Sequence, residues 1–356
     1  MVHTTSGQAK LAGRQSPLLR ALSVACCVAA LSACSIGTSG AGRGLAYTDD
    51  TTGLAPIPFS ERAIPTVVAQ PYFKVSDGPA ALESPAFDHE GNLFFVDVYE
   101  GKVFRLTPAM ELSTIFADKT LRPAGLAIHK NGRIYLAGLG DFAAGSIISL
   151  DADGKNVRAV VPASAGYVPD DLVFDKKGGI YFTDFKGTPT KPSGGVYYVA
   201  AEGNAITPVI GNMAIANGVA LSPDEKVLWA SEFSSGRLHR VDLNDRGLST
   251  PTGASIPYHF TGRSPDSMRT DADGNVYVAM WSQARILVFN PNGVPIGQIT
   301  LPGREAGQFL KVTSLAFRPG TKELLIVARD EFTGQGAMIF KSQGFAMGTT
   351  MYSHQP

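Results

Sequence analysis

FDKKGGIYFTD, residues 174–184, reads as a short apolar start, a charged turn with two glycines, and a β-rich run ending on an acid. Lys-Lys-Gly-Gly supplies a tight turn, and Ile, Tyr, Phe and Thr fit a pleated, half-buried surface. Alone this is one hairpin. Five more stretches repeat it: FDHEGNLFFVD (87–97), IHKNGRIYLAG (128–138), LSPDEKVLWAS (221–231), TDADGNVYVAM (270–280) and FRPGTKELLIVA (317–328). Successive starts lie 41, 46, 47, 49 and 47 residues apart. A second pattern follows each copy as a third strand: GKVFRLTP (101–108), GSIISLDADG (145–154), GGVYYVAAEG (194–203), GRLHRVDLND (236–245), ARILVFNPNG (284–293) and GAMIFKSQG (336–344). Fainter fourth strands include STIFAD (113–118) and IGQITLP (296–302).

Four strands per unit at such a period is the mark of a propeller blade. Six units predict an all-β, six-bladed β-propeller over residues 70–356. A β-sandwich would have to produce six matches to a two-part pattern by coincidence. The 39 glycines and 23 prolines suit many short strands joined by turns.

Upstream of the repeats, Lys10, Arg14 and Arg20 precede the apolar run ALSVACCVAAL (21–31), which is short for a bilayer span. Leu31-Ser32-Ala33-Cys34 then resembles a bacterial lipobox, which implies lipidation of Cys34 after removal of residues 1–33. The alternative is an ordinary secretory signal; either predicts export from the cytoplasm, and the lipobox reading places the chain in the cell envelope with lipid as its only membrane contact. Residues 34–69, rich in Ser, Gly, Thr and Pro, read as a tether with a first strand near Thr66–Ala69. All three cysteines lie in the leading segment, so the folded domain has neither a disulfide nor a cysteine nucleophile. Formal charge is zero, so nothing points to nucleic acid. The expected state is a monomer.

The first strand of a blade lines the central channel. Four residues before the start of each repeat stand Glu83, Ala124, Asp170, Asn217, Asp266 and Thr313. Pseudo-symmetry aims this column at one point near the axis, and three carboxylates there would repel without a cation. An all-oxygen set suits a hard divalent ion, Ca²⁺ first, with Mg²⁺, Mn²⁺ and Zn²⁺ as alternatives. The absence of Cys and His from the column disfavours structural zinc. Polar residues at strand starts often only cap turns, but that reading serves one aspartate better than four matched positions.

The segments YVPDDLVFDKKGGIYFTDFKG, IANGVALSPDEKVLWASE, GRLHRVDL, SPDSMRTDADGNVYVAM and ILVFNPNGVPIGQITLPGR resemble the senescence-marker-protein/gluconolactonase family, in particular its drug-responsive-protein lactonases. That resemblance implies metal ligands at Glu83, Asp170, Asn217 and Asp266, with Ser267 beside the last. Asp170 stands where the sugar-lactonase branch commonly has Asn, which argues against gluconolactone specificity. A second, structural calcium loop would fall near Ala144, Gly145, Pro162, Ala165 and Tyr167, but Pro162 occupies its carboxylate position.

Hydrolysis of a lactone, a cyclic ester, needs a polarised carbonyl and an activated water. Asp266 is the expected acid–base, with Asp170 or Asp171 as runner-up. Loops after each second strand would wall the substrate: Tyr99, Asp141, Phe185, Phe233 and Trp281, with Asp171 as a further contact and residues 185–195 as a partial cover. Aromatic walls favour an apolar or aromatic lactone, although each ring could equally be rim packing. There is no G-x-S-x-G elbow, HExxH or P-loop. The competing functions are a non-catalytic partner-binding propeller and a strictosidine-synthase-like enzyme; neither needs the converging acidic column.

Overall fold

The computed structural model describes residues 53–355 apart from Asn204 and Arg263. The segment with Cys34 lies outside the described residues. Six sheets form the blades, five built of four antiparallel strands and one extended by a fifth. The innermost strands are Leu82–Phe87, Pro123–Ile128, Pro169–Phe174, Ala216–Leu221, Pro265–Thr270 and Lys311–Phe317, one from each repeat unit. Four of these bury every residue. An inner strand is covered by blades on both sides, so strict alternation gives way to continuous burial. Neighbouring blades share one core: Phe94 and Val96 of the first blade pack with Leu126, Ile128 and Leu136 of the second. Each such side chain contributes roughly 1.5–3 kcal/mol on burial.

Ring closure comes from the other end of the chain. The last blade takes Lys311–Phe317, Glu323–Arg329 and Ala337–Gln343 from the C-terminal repeat and Gln70–Ser76 as its outer strand. Splicing N- to C-terminal strands makes the circle lose an edge it would otherwise expose.

The strand expected near Thr66–Ala69 is present as Thr66–Val68, which pairs in parallel with Pro295–Thr300, and Ala55 and Ala69 join the adjoining core. Glu61 is 1% exposed, ion-paired to Arg285 and hydrogen-bonded by the Tyr258 hydroxyl. This strap shows no periodicity because its strand lies exposed on a blade edge and its anchor is a buried ion pair.

Candidate active site

All six column positions meet at the mouth of the channel. Glu83, Ala124, Asp170, Asn217, Asp266 and Thr313 line one open funnel of about 210 Å³. The local cause is a repeated backbone irregularity. Each inner strand slips register against its second strand beside the column, between Glu83 and Ala86, Pro123 and Gly125, Pro169 and Leu172, Ala216 and Val219, Pro265 and Met268, and Val312 and Ser314. A bulge re-aims one side chain and leaves backbone groups without ladder partners.

Two hydroxyls absorb those groups. Thr183 Oγ1 accepts the Asp171 N–H at 3.0 Å and donates to the Asn217 carbonyl at 2.6 Å. Ser231 Oγ accepts the Gly218 N–H at 2.7 Å and donates to the Asp266 carbonyl at 2.8 Å. Each hydroxyl thus locks the bulge of its own blade and sets the height of the column residue on the next. The inner strands also approach too closely for ordinary side chains. A Cβ on Gly125 would stand 2.2 Å from the Asp170 carbonyl oxygen, and one on Gly218 2.5 Å from that of Asp266. Small residues therefore follow the column on five blades: Ser84, Gly125, Gly218, Ser267 and Ser314.

Asp171 is the exception, and the structure explains it. Its carboxylate accepts the Leu172 and Val219 N–H groups and pairs with Arg269 at 3.3 Å, and it is 1% exposed. It turns away from the funnel and ties three inner strands together. The expectation that Asp171 contacts substrate is corrected: backbone donors and a buried guanidinium already occupy its oxygens. Asp141 is likewise corrected, since it does not line the funnel and its Oδ1 caps Ala143 and Ala144. Ser267 contributes its backbone N–H to the Asp266 carboxylate and does not line the funnel.

The electrostatics of the floor are unfavourable by themselves. Burial, then the charges of Asp266, Asp170 and Asp171, hold the Glu83 carboxyl well above its ordinary pKa. Burial and Asp171 do the same to Asp170. Burial and Asp170 raise Asp266, against the opposing hydrogen bonds of the Asn217 side chain and the Ser267 N–H. Glu83 Oε2 and Asn217 Oδ1 are buried with no hydrogen-bond partner. Among the described residues no three Asp, Glu, His or Cys side chains form a metal cage by themselves. The converging set is mixed, with the Asn217 amide on the blade between those of Asp170 and Asp266. Oxygen donors, two of them orphaned, at a site that penalises uncompensated negative charge fit a hard divalent cation.

The walls are aromatic. Tyr99, Phe185, Phe233 and Trp281 all line the funnel. Phe142, Phe185, Phe233 and Trp281 run round the rim with ring centroids 6.5, 6.3 and 5.7 Å apart in turn. Of the 185–195 loop only Phe185 reaches the funnel; Gly187–Thr188 and Lys191–Pro192 form a small hairpin outside it.

Sequence reading missed the acids that end the second strands. Asp97, Asp184 and Glu232 accept the N–H of Ala81, Val168 and Ala214, fixing the backbone just before three inner strands. The acids closing FFVD, YFTD and WASE were the available signal. It also missed Arg329, which lines the funnel from the last blade.

Comparison with known proteins bears on the fold and the family. A lactonase drp35 of Staphylococcus saprophyticus is 47% identical over 313 residues, covering 86% of this chain and 97% of that protein. A lactonase drp35 of Staphylococcus aureus is 45% identical over 316 residues, covering 87% and 97%. Among solved structures, a calcium-binding regucalcin of Agrobacterium tumefaciens superposes with a TM-score of 0.67 at 18% identity, covering 82% of this chain and 99% of that one. A gluconolactonase of Xanthomonas campestris gives 0.62 at 20% identity, covering 77% and 94%; at such identities these two speak for the fold. The profile of the SMP-30/Gluconolactonase/LRE-like region matches residues 82–329, and with relatives this similar over most of its length, the chain belongs to that family.

Proposed function

We propose that this protein is a divalent-cation-dependent lactonase acting on small lactones with an apolar or aromatic body. The observation that carries the reading is the floor of the funnel: three buried, mutually repelling carboxylates and an amide with orphaned oxygens, under an aromatic wall. Homologues at 45–47% identity named lactonases support it. Glu83, Asp170, Asn217 and Asp266 would hold the ion, with Ca²⁺ the best match to an all-oxygen set. A bound divalent cation supplies carbonyl polarisation and acidifies water.

The chain's own residues do the rest. Asp266, held by Asn217 and the Ser267 N–H, takes the proton of the attacking water and returns it to the leaving alkoxide. Asp170 is the second candidate for that role. Thr183 and Ser231 keep Asn217 and Asp266 at fixed height, and the aromatic arc excludes water from the apolar side of the lactone. The test is a lactone and ester panel assayed after metal depletion and after restoration with single ions. Turnover indifferent to chelation, or none on any lactone, overturns the reading.

The lipobox-like LSAC sequence further supports export and lipid anchoring at Cys34 in the envelope. Cys34→Ala should release the protein from the membrane fraction. Unchanged membrane association would exclude the anchor.

A further inference from the structure

We propose that Arg329 is an anion receptor in the funnel wall, so that the substrate is a lactone bearing a carboxylate. This rests on the lactonase reading and adds to it the chemical class of the substituent. Arg329 is 6% exposed and lines the funnel together with Glu83, Asp170, Asn217 and Asp266. Its Nη2 donates to Glu331 at 2.8 Å, and its guanidinium carbon lies 4.7 Å from the centre of the Tyr99 ring. Its Nε and Nη1 are buried without any hydrogen-bond partner.

Of the other deeply buried arginines, Arg269 gives Nη1 to Asp171 and the Met268 carbonyl and leaves no buried nitrogen without a partner, while two spread their donors more widely inside the protein. Arg285 reaches Gln283, Gln298 and Glu61, and Arg304 reaches Gln283, Glu305 and Ala55. Arg105 and Arg237 each have only Nε buried without a partner, and both residues are less buried. A buried donor left unmade costs about 1–3 kcal/mol, more when charged, so two on one guanidinium need a reason. An oxygen that arrives with the ligand is such a reason.

The position within the blade points the same way. Arg329 pairs with Lys311 at the start of its inner strand, as Asp97, Asp184 and Glu232 do with Leu82, Pro169 and Ala216. On those three blades the residue is an acid that caps backbone. On the last blade Asp330 takes over the capping, accepting from Phe309, Phe332 and Thr333, and a cation stands in its place. Lys311 lies 3.3 Å from the centre of the Trp281 ring and 3.4 Å from Glu331. Arg329 shares Glu331 with Lys311, so its guanidinium has only part of one carboxylate to itself, facing an acidic floor. One negative charge complements that guanidinium, which suits the planar carboxylate.

The test uses the full protein with Ca²⁺ present. Calorimetric titration should show benzoate binding roughly ten- to hundredfold tighter than the uncharged isostere benzamide, the range expected for a charge-assisted hydrogen bond. Arg329→Met should abolish that difference and leave benzamide unchanged. Glu331→Gln, which removes the competing carboxylate, should tighten benzoate; it serves as the second variant where Arg329→Met fails to fold. In kinetics, Arg329→Met should raise KM for γ-butyrolactone γ-carboxylate about tenfold or more relative to its effect on KM for γ-butyrolactone. Equal affinity of the wild type for benzoate and benzamide, or equal loss of both lactones in the variant, overturns the proposal. If the wild type hydrolyses no lactone of the panel, the lactonase reading fails while the benzoate titration still decides Arg329.

Discussion

The same six inner strands run from the funnel to the opposite end of the channel, and the two ends are finished differently. At the funnel, Glu83 Oε2, Asn217 Oδ1 and two nitrogens of Arg329 have no partner. At the far end the C-terminal segment lies across the strand ends and ties itself in. The Gly348 N–H donates to the Thr321 carbonyl, that of Thr349 to the Thr270 carbonyl, and the Thr349 hydroxyl to the Asp271 carbonyl. His354 Nε2 meets the Asp88 carbonyl at 3.1 Å, and Tyr352 packs its ring on Phe174 and His129. One end is closed by satisfied contacts and serves stability. The other holds unpaired polar atoms, which a marginally stable fold retains where a ligand will use them.

Substitutions at the two ends should therefore separate activity from stability. Asp266→Asn should cost about 10²- to 10⁴-fold in kcat, the range for losing a general base, with the fold retained. In metal-free protein the same change should hold or raise the melting temperature, because it removes one of three repelling charges. Near-normal turnover would move the acid–base role to another residue. At the far end, Tyr352→Ala should cost about 3 kcal/mol as a large buried ring is lost, with KM unchanged. A change in KM there would mean that the two ends are coupled.

Smaller effects are expected where the two ends connect. Thr183→Val removes a hydroxyl that serves two backbone groups, so about 1–3 kcal/mol of stability should go, with a fall in kcat as Asn217 loses its support. Loss of stability without loss of kcat would make Thr183 purely structural. The gentlest perturbation is pH. Glu83, Asp170 and Asp266 have folded pKa values above their unfolded ones, so folding favours their protonated forms. Their contribution is favourable at low pH and is lost as pH rises from the ordinary carboxylate range through the raised values. Chelated wild-type protein should lose stability over that window more steeply than chelated Asp170→Asn, as read from urea midpoints. Parallel curves would mean that the carboxylates do not share one field.

Much of this was legible because symmetry repeats it. The hairpin FDKKGGIYFTD and its five copies determine blade number, and the register of the repeat picks out the column of six, within which the family resemblance implies Glu83, Asp170, Asn217 and Asp266 as ligands. The aromatics Tyr99, Phe185, Phe233 and Trp281 follow from the same register, one loop later. What the sequence could not specify departs from the repeat or depends on distance. Asp171 looked like a second site residue until Val219 and Arg269, far along the chain, were seen to hold it. Glu61 read as part of a polar tether until Arg285 and Tyr258 enclosed it, and Arg329 sits where the repeat pattern slips by one residue. Periodicity encodes which way a side chain faces. The partner that satisfies it, or its absence, depends on which strands the closed ring brings together, and that only the tertiary structure decides.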